Sequence, residues 1–182
     1  MFEGEELGLA ARISPGRPQA RNMKAALIIS GLYETHLFVA DLQRSAQFYG
    51  DLLGLQLAFR DETRALAFYW VGAPGQSFVG LWQKQPAEII RQHLAFEVAL
   101  DDLERGIASL TAHGIAVKNF FDQPTDVPSV FGWMPAASIY FDDPDGHLLE
   151  FIARLPGPPR PEQGIVSLPE WLRGCRQPPR RS

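Results

Sequence analysis

Apolar and polar positions first follow the pattern of one strand, one helix and three strands. Alternation over residues 33–40 predicts a half-buried strand, and apolar residues at helical spacing over 41–53 predict a helix that stops at Gly54. Three further strands are predicted over 55–61, 64–71 and 77–83. This order is a βαβββ unit over residues 32–84.

The second half of the chain repeats this order. Residues 93–100 predict a strand, and a helix that opens at Asp101 and stops at Gly114 follows. Three further strands are predicted over 115–121, 137–141 and 148–153. The two helices also share letters, since Asp41-Leu42-x-Arg44 recurs as Asp102-Leu103-x-Arg105. The repetition indicates a duplicated unit.

One βαβββ unit is too small to bury the apolar face of its own sheet, so two such units are expected to pack around one curved core. The predicted fold class is α+β with paired βαβββ modules. Module one covers residues 32–84 and module two covers 91–154 of a domain over 32–154.

Both ends of the chain differ in composition from this body. Residues 1–31 show little apolar periodicity and are predicted to be a flexible extension, with Met1 and Met23 both candidate starts. Residues 155–182 are rich in proline and arginine and predict an extended tail. Within that tail, Ser167 and Glu170 have capping-box spacing, which predicts a short helix near 168–174.

Composition narrows the function classes. The formal net charge of -4 argues against a protein that binds nucleic acid through its phosphates. The longest aliphatic run, residues 25–29, is too short to span a membrane. A single cysteine, Cys175, excludes an internal disulfide and favours a cytoplasmic location.

Three residues carry the candidate chemistry. His36 and His93 occupy related slots in the first strands of the two modules. Glu150 lies in a strand that is apolar on both faces, where an ionised carboxylate needs a positive or strongly donating partner. The alternatives are core histidines bonded to carbonyls and a Glu150 that is protonated or paired with arginine. With a metal, the three residues suit Fe, Mn, Ni or Zn.

For other polar residues near Glu150 we predict structural or surface roles. Residues Asp143-Pro144-Asp145-Gly146 predict a tight hairpin turn that sets the register of the last strand. His147, just after the turn, is predicted to be exposed. Glu97 shares the face of His93 but lies about 13 Å along the strand, so we predict a surface salt bridge for it.

Three segments resemble the vicinal oxygen chelate superfamily, which contains glyoxalases, extradiol dioxygenases and fosfomycin-resistance enzymes. They are ETHLFVADLQRSAQFYGDLLGL, HLAFEVALDDL and SIYFDDPDGHLLEF, in the family's order. The resemblance implies a cupped mixed sheet around one divalent metal ion, with His36, His93 and Glu150 as ligands. It also implies a homodimer, since relatives often build each site across two chains.

The chain departs from two branches of that family. Glyoxalase I has a further carboxylate on the last strand of module one, whereas here no Asp or Glu lies between Glu62 and Glu88. Extradiol dioxygenases have a histidine where this chain has Phe131, Gly132 or Trp133. Both departures weaken the corresponding reactions as predictions.

The loop over residues 122–136 carries Phe131 and Trp133, and it is interpreted either as a lid or as a loop pinned to the core by its aromatic rings. Phe131, Trp133 and Tyr140 are predicted to contact a small-molecule substrate.

The predicted function is a metal-dependent glyoxalase/dioxygenase-like enzyme whose ion acts as a Lewis acid on vicinal oxygens, by isomerase, lyase or thiol-addition chemistry. Glu150 is predicted to serve also as a catalytic base. The alternatives are a metal-free protein that sequesters a small molecule such as an antibiotic, an extradiol-type dioxygenase, and a regulatory module with the fold as scaffold.

Overall fold

The computed structural model describes residues 29–175. The predicted N-terminal extension lies outside these residues up to position 28, as do Met23 and the last seven residues of the chain. Within the described part the chain forms two β-sheets, one from each module. The paired βαβββ fold is therefore confirmed.

The first sheet has the strand order β1-β4-β3-β2, with β1 and β4 parallel. Its strands are β1 (Glu34–Val39), β2 (Leu57–Asp61), β3 (Leu66–Val71) and β4 (Ser77–Gln83). Helix α1 (Leu42–Ala46) follows β1 and continues through Leu52 with wider, π-helical turns. The chain leaves this helix through Gly54, whose φ of 72° is the left-handed conformation that favours glycine.

The second sheet has five strands in the order β5-β8-β7-β6-β9, with β5 and β8 parallel. Its strands are β5 (His93–Glu97), β6 (Ser129–Phe131), β7 (Ala136–Asp142), β8 (Leu148–Arg154) and β9 (Ile165–Ser167). Helix α2 (Leu100–Ala112) connects β5 to the rest of the module, and helix α3 (Leu168–Cys175) follows β9. The two sheets share their main plan, and the second adds one strand.

The core lies on the helix side of both sheets. In β1 the side chains of Leu37 and Val39 are buried, whereas Phe38 is exposed. Leu103 and Leu110 of α2 belong to the same continuous apolar cluster. Each sheet therefore has a helix face inside the core and an open face, which carries His36 and Phe38 in the first sheet and His93 and Glu97 in the second.

The prediction of a strand over residues 115–121 is wrong. This segment is irregular and forms only isolated bridges from Lys118 to Pro124 and Tyr140. The cause is a local turn in which the Asn119 side chain accepts hydrogen bonds from two backbone N–H groups and Asp122 adopts a φ of 58°. The sheet takes its strand from β6 instead, inside the segment predicted to be a loop.

Much of the predicted tail is packed against the second sheet. Strand β9 pairs with β6, and Trp171 of α3 is buried. The predicted short helix is confirmed, since the Glu170 carboxylate accepts hydrogen bonds from the N–H and the hydroxyl of Ser167. The pKa of Glu170 is lowered by these two bonds. No helix among residues 29–175 is long and apolar enough to cross a membrane.

Candidate metal centre

His93 and Glu150 meet on the open face of the second sheet. Strands β5 and β8 are adjacent, with His93 opposite Leu148 and Ala95 opposite Glu150, so both functional side chains lie on the same face. The His93 Nε2 atom is 3.0 Å from Glu150 Oε2. The carboxylate is buried, whereas about half of the imidazole is exposed. The pair therefore has one side open to a ligand.

The hydrogen bonds of His93 determine which nitrogen faces the carboxylate. Its Nδ1 atom lies 3.1 Å from the carbonyl oxygen of Leu148, which can only accept, so Nδ1 carries the proton. In the neutral ring, the bare Nε2 then faces a carboxylate oxygen. Two acceptors at this distance repel each other unless both bind a shared proton or a shared cation. A backbone carbonyl on one nitrogen is also the usual way in which a metal-binding histidine is oriented.

Tyr140 completes this side of the site. It lies directly opposite Glu150 in the β7–β8 pair, and its hydroxyl donates to Glu150 Oε1 at 3.2 Å. Burial, followed by the charge of Glu150, raises the pKa of the Tyr140 phenol above its ordinary value. Tyr140 therefore remains a neutral donor and occupies one carboxylate oxygen, while the other faces His93.

His36 lies on the open face of the first sheet and is surrounded by aromatic rings. The Trp82 indole N–H donates to His36 Nδ1 at 2.9 Å, and the rings of Phe68 and Phe78 lie about as close to the imidazole as that of Trp82. The His36 Nε2 atom is 3.8 Å from Glu34. In this arrangement, a cation would have to compete with the Trp82 N–H for the lone pair of the His36 imidazole.

The structure thus joins two of the three predicted ligands. Within residues 29–175 of one chain, no three His, Cys, Asp or Glu side chains come together as a possible metal site. The donor chemistry still fits a cation, because the neutral form of His93 places a bare Nε2 beside a carboxylate oxygen of Glu150.

Gly80 explains how His36 fits against the sheet. It is the residue opposite His36 in the β1–β4 pair, and a Cβ atom placed there would lie only 2.2 Å from His36 Nδ1. The imidazole therefore lies over the bare backbone of β4. A glycine inside an otherwise apolar strand was the available signal of this close approach.

A cleft of about 410 Å³ opens beside His93. Its walls are formed by Arg91, His93, Asn119, Phe120, Asp122, Tyr140 and Leu148. Phe131 is buried in β6 and packs edge-on against Phe120, whereas 64% of Trp133 is exposed. Of the three residues predicted to contact substrate, Tyr140 lines this cleft, and contacts from Phe131 and Trp133 stay predictions.

An ion-pair network at the edge of the cleft was missed from the sequence. Asp142 accepts from Arg91 at 2.6 Å and from Lys118 at 2.5 Å, and Lys118 also lies 3.0 Å from Asp122. Hydrogen bonds to these two carboxylates raise the pKa of Lys118. The four residues come from three separate segments, with only Lys118 and Asp122 close together in sequence, so no local motif could have shown all four together.

Two predictions for neighbouring polar residues have opposite outcomes. The salt bridge of Glu97 is confirmed, because its carboxylate lies 2.5 Å from Arg154 and both side chains are exposed. The predicted exposure of His147 is wrong, since the residue is completely buried. Its ring satisfies two backbone groups, the N–H of Gln92 and the carbonyl of Phe38. Both partners are distant in the sequence, since Phe38 is in β1 and Gln92 immediately precedes β5.

With this geometry, the family can be stated. The chain matches the Glyoxalase/Bleomycin resistance protein/Dioxygenase superfamily over residues 31–151 and belongs to it.

Two relatives are at least 30% identical to this chain in sequence. It is 30% identical to the glutathione transferase FosA of Serratia marcescens over 162 residues, which cover 84% of this chain and 92% of that protein. An integron cassette protein from the metagenome of the Halifax Harbour sewage outfall is 34% identical, with a TM-score of 0.60 over 69% of this chain and 99% of that one.

A glyoxalase/dioxygenase from Nostoc punctiforme has the same fold. Its TM-score is 0.57 at 20% identity, over 76% of this chain and all of that one. Together these comparisons establish the superfamily and the fold.

Proposed function

We propose that this chain is a metal-dependent enzyme that acts on a small substrate with two neighbouring oxygen atoms. The observation that carries this proposal is the contact of His93 Nε2 with Glu150 Oε2, 3.0 Å apart beside an open cleft. A divalent cation of Fe, Mn, Ni or Zn held there would supply Lewis acidity toward negative charge that develops on the substrate oxygens. Isomerase, lyase or thiol-addition chemistry is preferred.

The surrounding residues have distinct tasks. The carbonyl of Leu148 holds His93 in the tautomer with a bare Nε2, and the hydroxyl of Tyr140 fixes one oxygen of Glu150. The other oxygen, Oε2, holds the cation and is the group that we propose as a base toward a substrate proton. Phe120 and Leu148 give the cleft an apolar wall beside this pair.

We further propose that His36 of a second chain is the third ligand. The open face of the first sheet leaves 41% of Phe38 and 50% of Phe59 exposed, and such rings on one sheet face favour burial against a partner. A homodimer that covers this face would bring His36 of one chain toward the His93–Glu150 pair of the other.

The first experiment measures bound metal and activity. Protein loaded with Mn²⁺, Ni²⁺, Fe²⁺ or Zn²⁺ is expected to retain about one ion per chain. Activity is then assayed on the methylglyoxal–glutathione hemithioacetal, fosfomycin and catechol. Glu150→Gln is expected to weaken binding at least about 100-fold, because a ligand matters more than an outer contact. The exposed Glu97→Gln variant serves as the control, and loaded wild-type protein without a stoichiometric ion would favour a metal-free binding protein.

A mixing experiment tests the shared site. Neither His36→Ala nor Glu150→Gln alone should bind an ion tightly. If the site spans two chains, random pairing of both variants in one preparation restores about a quarter of the sites, because half of the dimers are mixed and each has one intact site. Recovery near zero would place all three ligands in one chain, and tight binding by His36→Ala alone would remove His36 from the site.

A further inference from the structure

A buried polar cluster joins the two modules behind the candidate metal centre. It consists of Asp143, Asp145 and His147, all in the turn between β7 and β8. His147 is completely buried, and the side chain of Asp145 is only 4% exposed. Their bonding partners outside the turn lie in module one or just before β5. We call these three residues the turn clamp.

The ring of His147 links β1 to the residue just before β5. The Nδ1 atom accepts from the backbone N–H of Gln92 at 3.1 Å, so the proton lies on Nε2, which donates to the carbonyl of Phe38 at 2.8 Å. Gln92 and Phe38 belong to different modules. A neutral imidazole has one acceptor and one donor, and this arrangement uses both. The ring therefore fixes the separation of β1 from the start of β5.

The two aspartates extend the same link. Asp145 accepts from the N–H of Ala40 at 3.2 Å, from Arg44 at 2.5 Å and from the hydroxyl of Ser45 at 3.2 Å. Asp143 accepts from the hydroxyl of Tyr49 at 2.9 Å. These contacts hold the connection between β1 and α1 against the β7–β8 turn, and buried charge-assisted bonds of this kind are costly to break.

The clamp touches each strand that carries a proposed ligand. Phe38 lies two residues after His36, Gln92 immediately precedes His93, and His147 lies three residues before Glu150. We propose that His147 is a positioning residue that sets the distance between His36 and the His93–Glu150 pair. In a two-fold dimer the same spacing also places His36 of one chain against the pair of the other. Its bearing on metal binding rests on the proposed function, whereas its bearing on strand separation does not.

The test uses variants that change the ring's bonding. His147→Leu removes both the donor and the acceptor, and His147→Asn keeps one of each on a shorter side chain. Leu110→Ala in α2 is the matched control, since it opens the same core without touching the clamp. All variants are made in a Cys175→Ser background.

Two measurements are made on each variant. Spin labels at E62C and R154C, two exposed sites in different modules, report the distribution of distances between the modules in samples diluted with unlabelled chain. Mn²⁺ affinity is measured by titration. We expect His147→Leu to broaden the distribution and to weaken Mn²⁺ binding about tenfold or more, with His147→Asn intermediate. Leu110→Ala is expected to lower the melting temperature while leaving both readouts near wild type.

The outcomes separate this proposal from the previous one. A wild-type distance distribution in His147→Leu would overturn the positioning role. Wild-type protein that binds no Mn²⁺ would defeat the proposed function, and the distance distributions would then decide the positioning role alone. If His147→Leu does not fold, His147→Asn takes its place, and a distribution as narrow as that of Leu110→Ala would overturn the proposal.

Discussion

The two modules place chemically opposite side chains beside their first-strand histidines. His36 is opposite Gly80 and His93 is opposite Leu148, and two residues further along the last strands stand Trp82 and Glu150. These two residues occupy equivalent positions, and each contacts its histidine at about the same distance. Trp82 offers a donor to an imidazole nitrogen, whereas Glu150 offers an acceptor.

This difference shows how a duplicated fold can specialise. A donor satisfies the imidazole of module one, so that module needs no cation. In module two an acceptor faces the histidine, so a neutral imidazole leaves two facing lone pairs, which a cation or a proton resolves. The same backbone plan therefore places a carboxylate beside the histidine in one half of the molecule and an indole in the other.

The second sheet also gains a strand, β9, and a helix, α3, from the segment that follows module two, and the largest stability effect is expected there. Trp171→Ala should lower the free energy of unfolding by about 3–5 kcal/mol, because the ring is fully buried between α3 and the second sheet. Leu172→Ala, at a half-exposed position in the same helix, should change it far less. Chemical denaturation checks both, and an effect of Trp171→Ala as small as that expected for Leu172→Ala would mean that α3 contributes little to the domain.

A side chain at position 80 should disturb module one, although module two has a leucine, Leu148, at the equivalent position. Gly80→Ala places a Cβ against the His36 ring, so we expect a loss of about 1–3 kcal/mol in the free energy of unfolding and displacement of the imidazole. Histidine NMR signals and denaturation report the two effects. An unchanged His36 signal would show that the ring does not lie over β4.

Removing the Trp82 donor should make the two histidines more alike. Trp82→Phe keeps an aromatic ring but loses the N–H, and a metal ion would no longer compete with a bond of about 1 kcal/mol. Divalent metal binding should therefore tighten about fivefold. Trp70→Phe on the same sheet face, whose indole packs against Phe78, is the control. Equal metal affinities of the two variants would show that the Trp82 N–H does not affect metal binding.

The smallest effect is expected for the hydroxyl of Tyr140. Its folded-state pKa lies above the ordinary value of 10.0, so the associated stability is present below pH 10 and is lost as the pH rises through the folded-state pKa. Tyr140→Phe should cost about 1 kcal/mol near neutral pH and should remove one late-titrating phenol from the ultraviolet titration. A titration curve identical to wild type would contradict the raised pKa.

The sequence predicted the parts of the molecule that depend on local periodicity. Strand β4 was placed without error, and Gly54 and Gly114 ended the two helices because both adopt a positive φ. The segment over 115–121 was misassigned because its apolar alternation was overridden by the Asn119 turn. Among the site residues, Glu150 was found because a charge inside an apolar strand is visible in the letters alone.

What the sequence by itself determined is the repeated βαβββ order and the identity of the candidate ligands, since both follow from spacing along one chain. Only the tertiary structure decided which ligands meet. His93 contacts Glu150, Trp82 donates to His36, and the buried His147 bonds to Phe38. Each of these contacts joins residues that are about 50 or more positions apart or in different modules. Pairing of strands and packing of modules set those contacts, and neither is encoded in any short stretch of sequence.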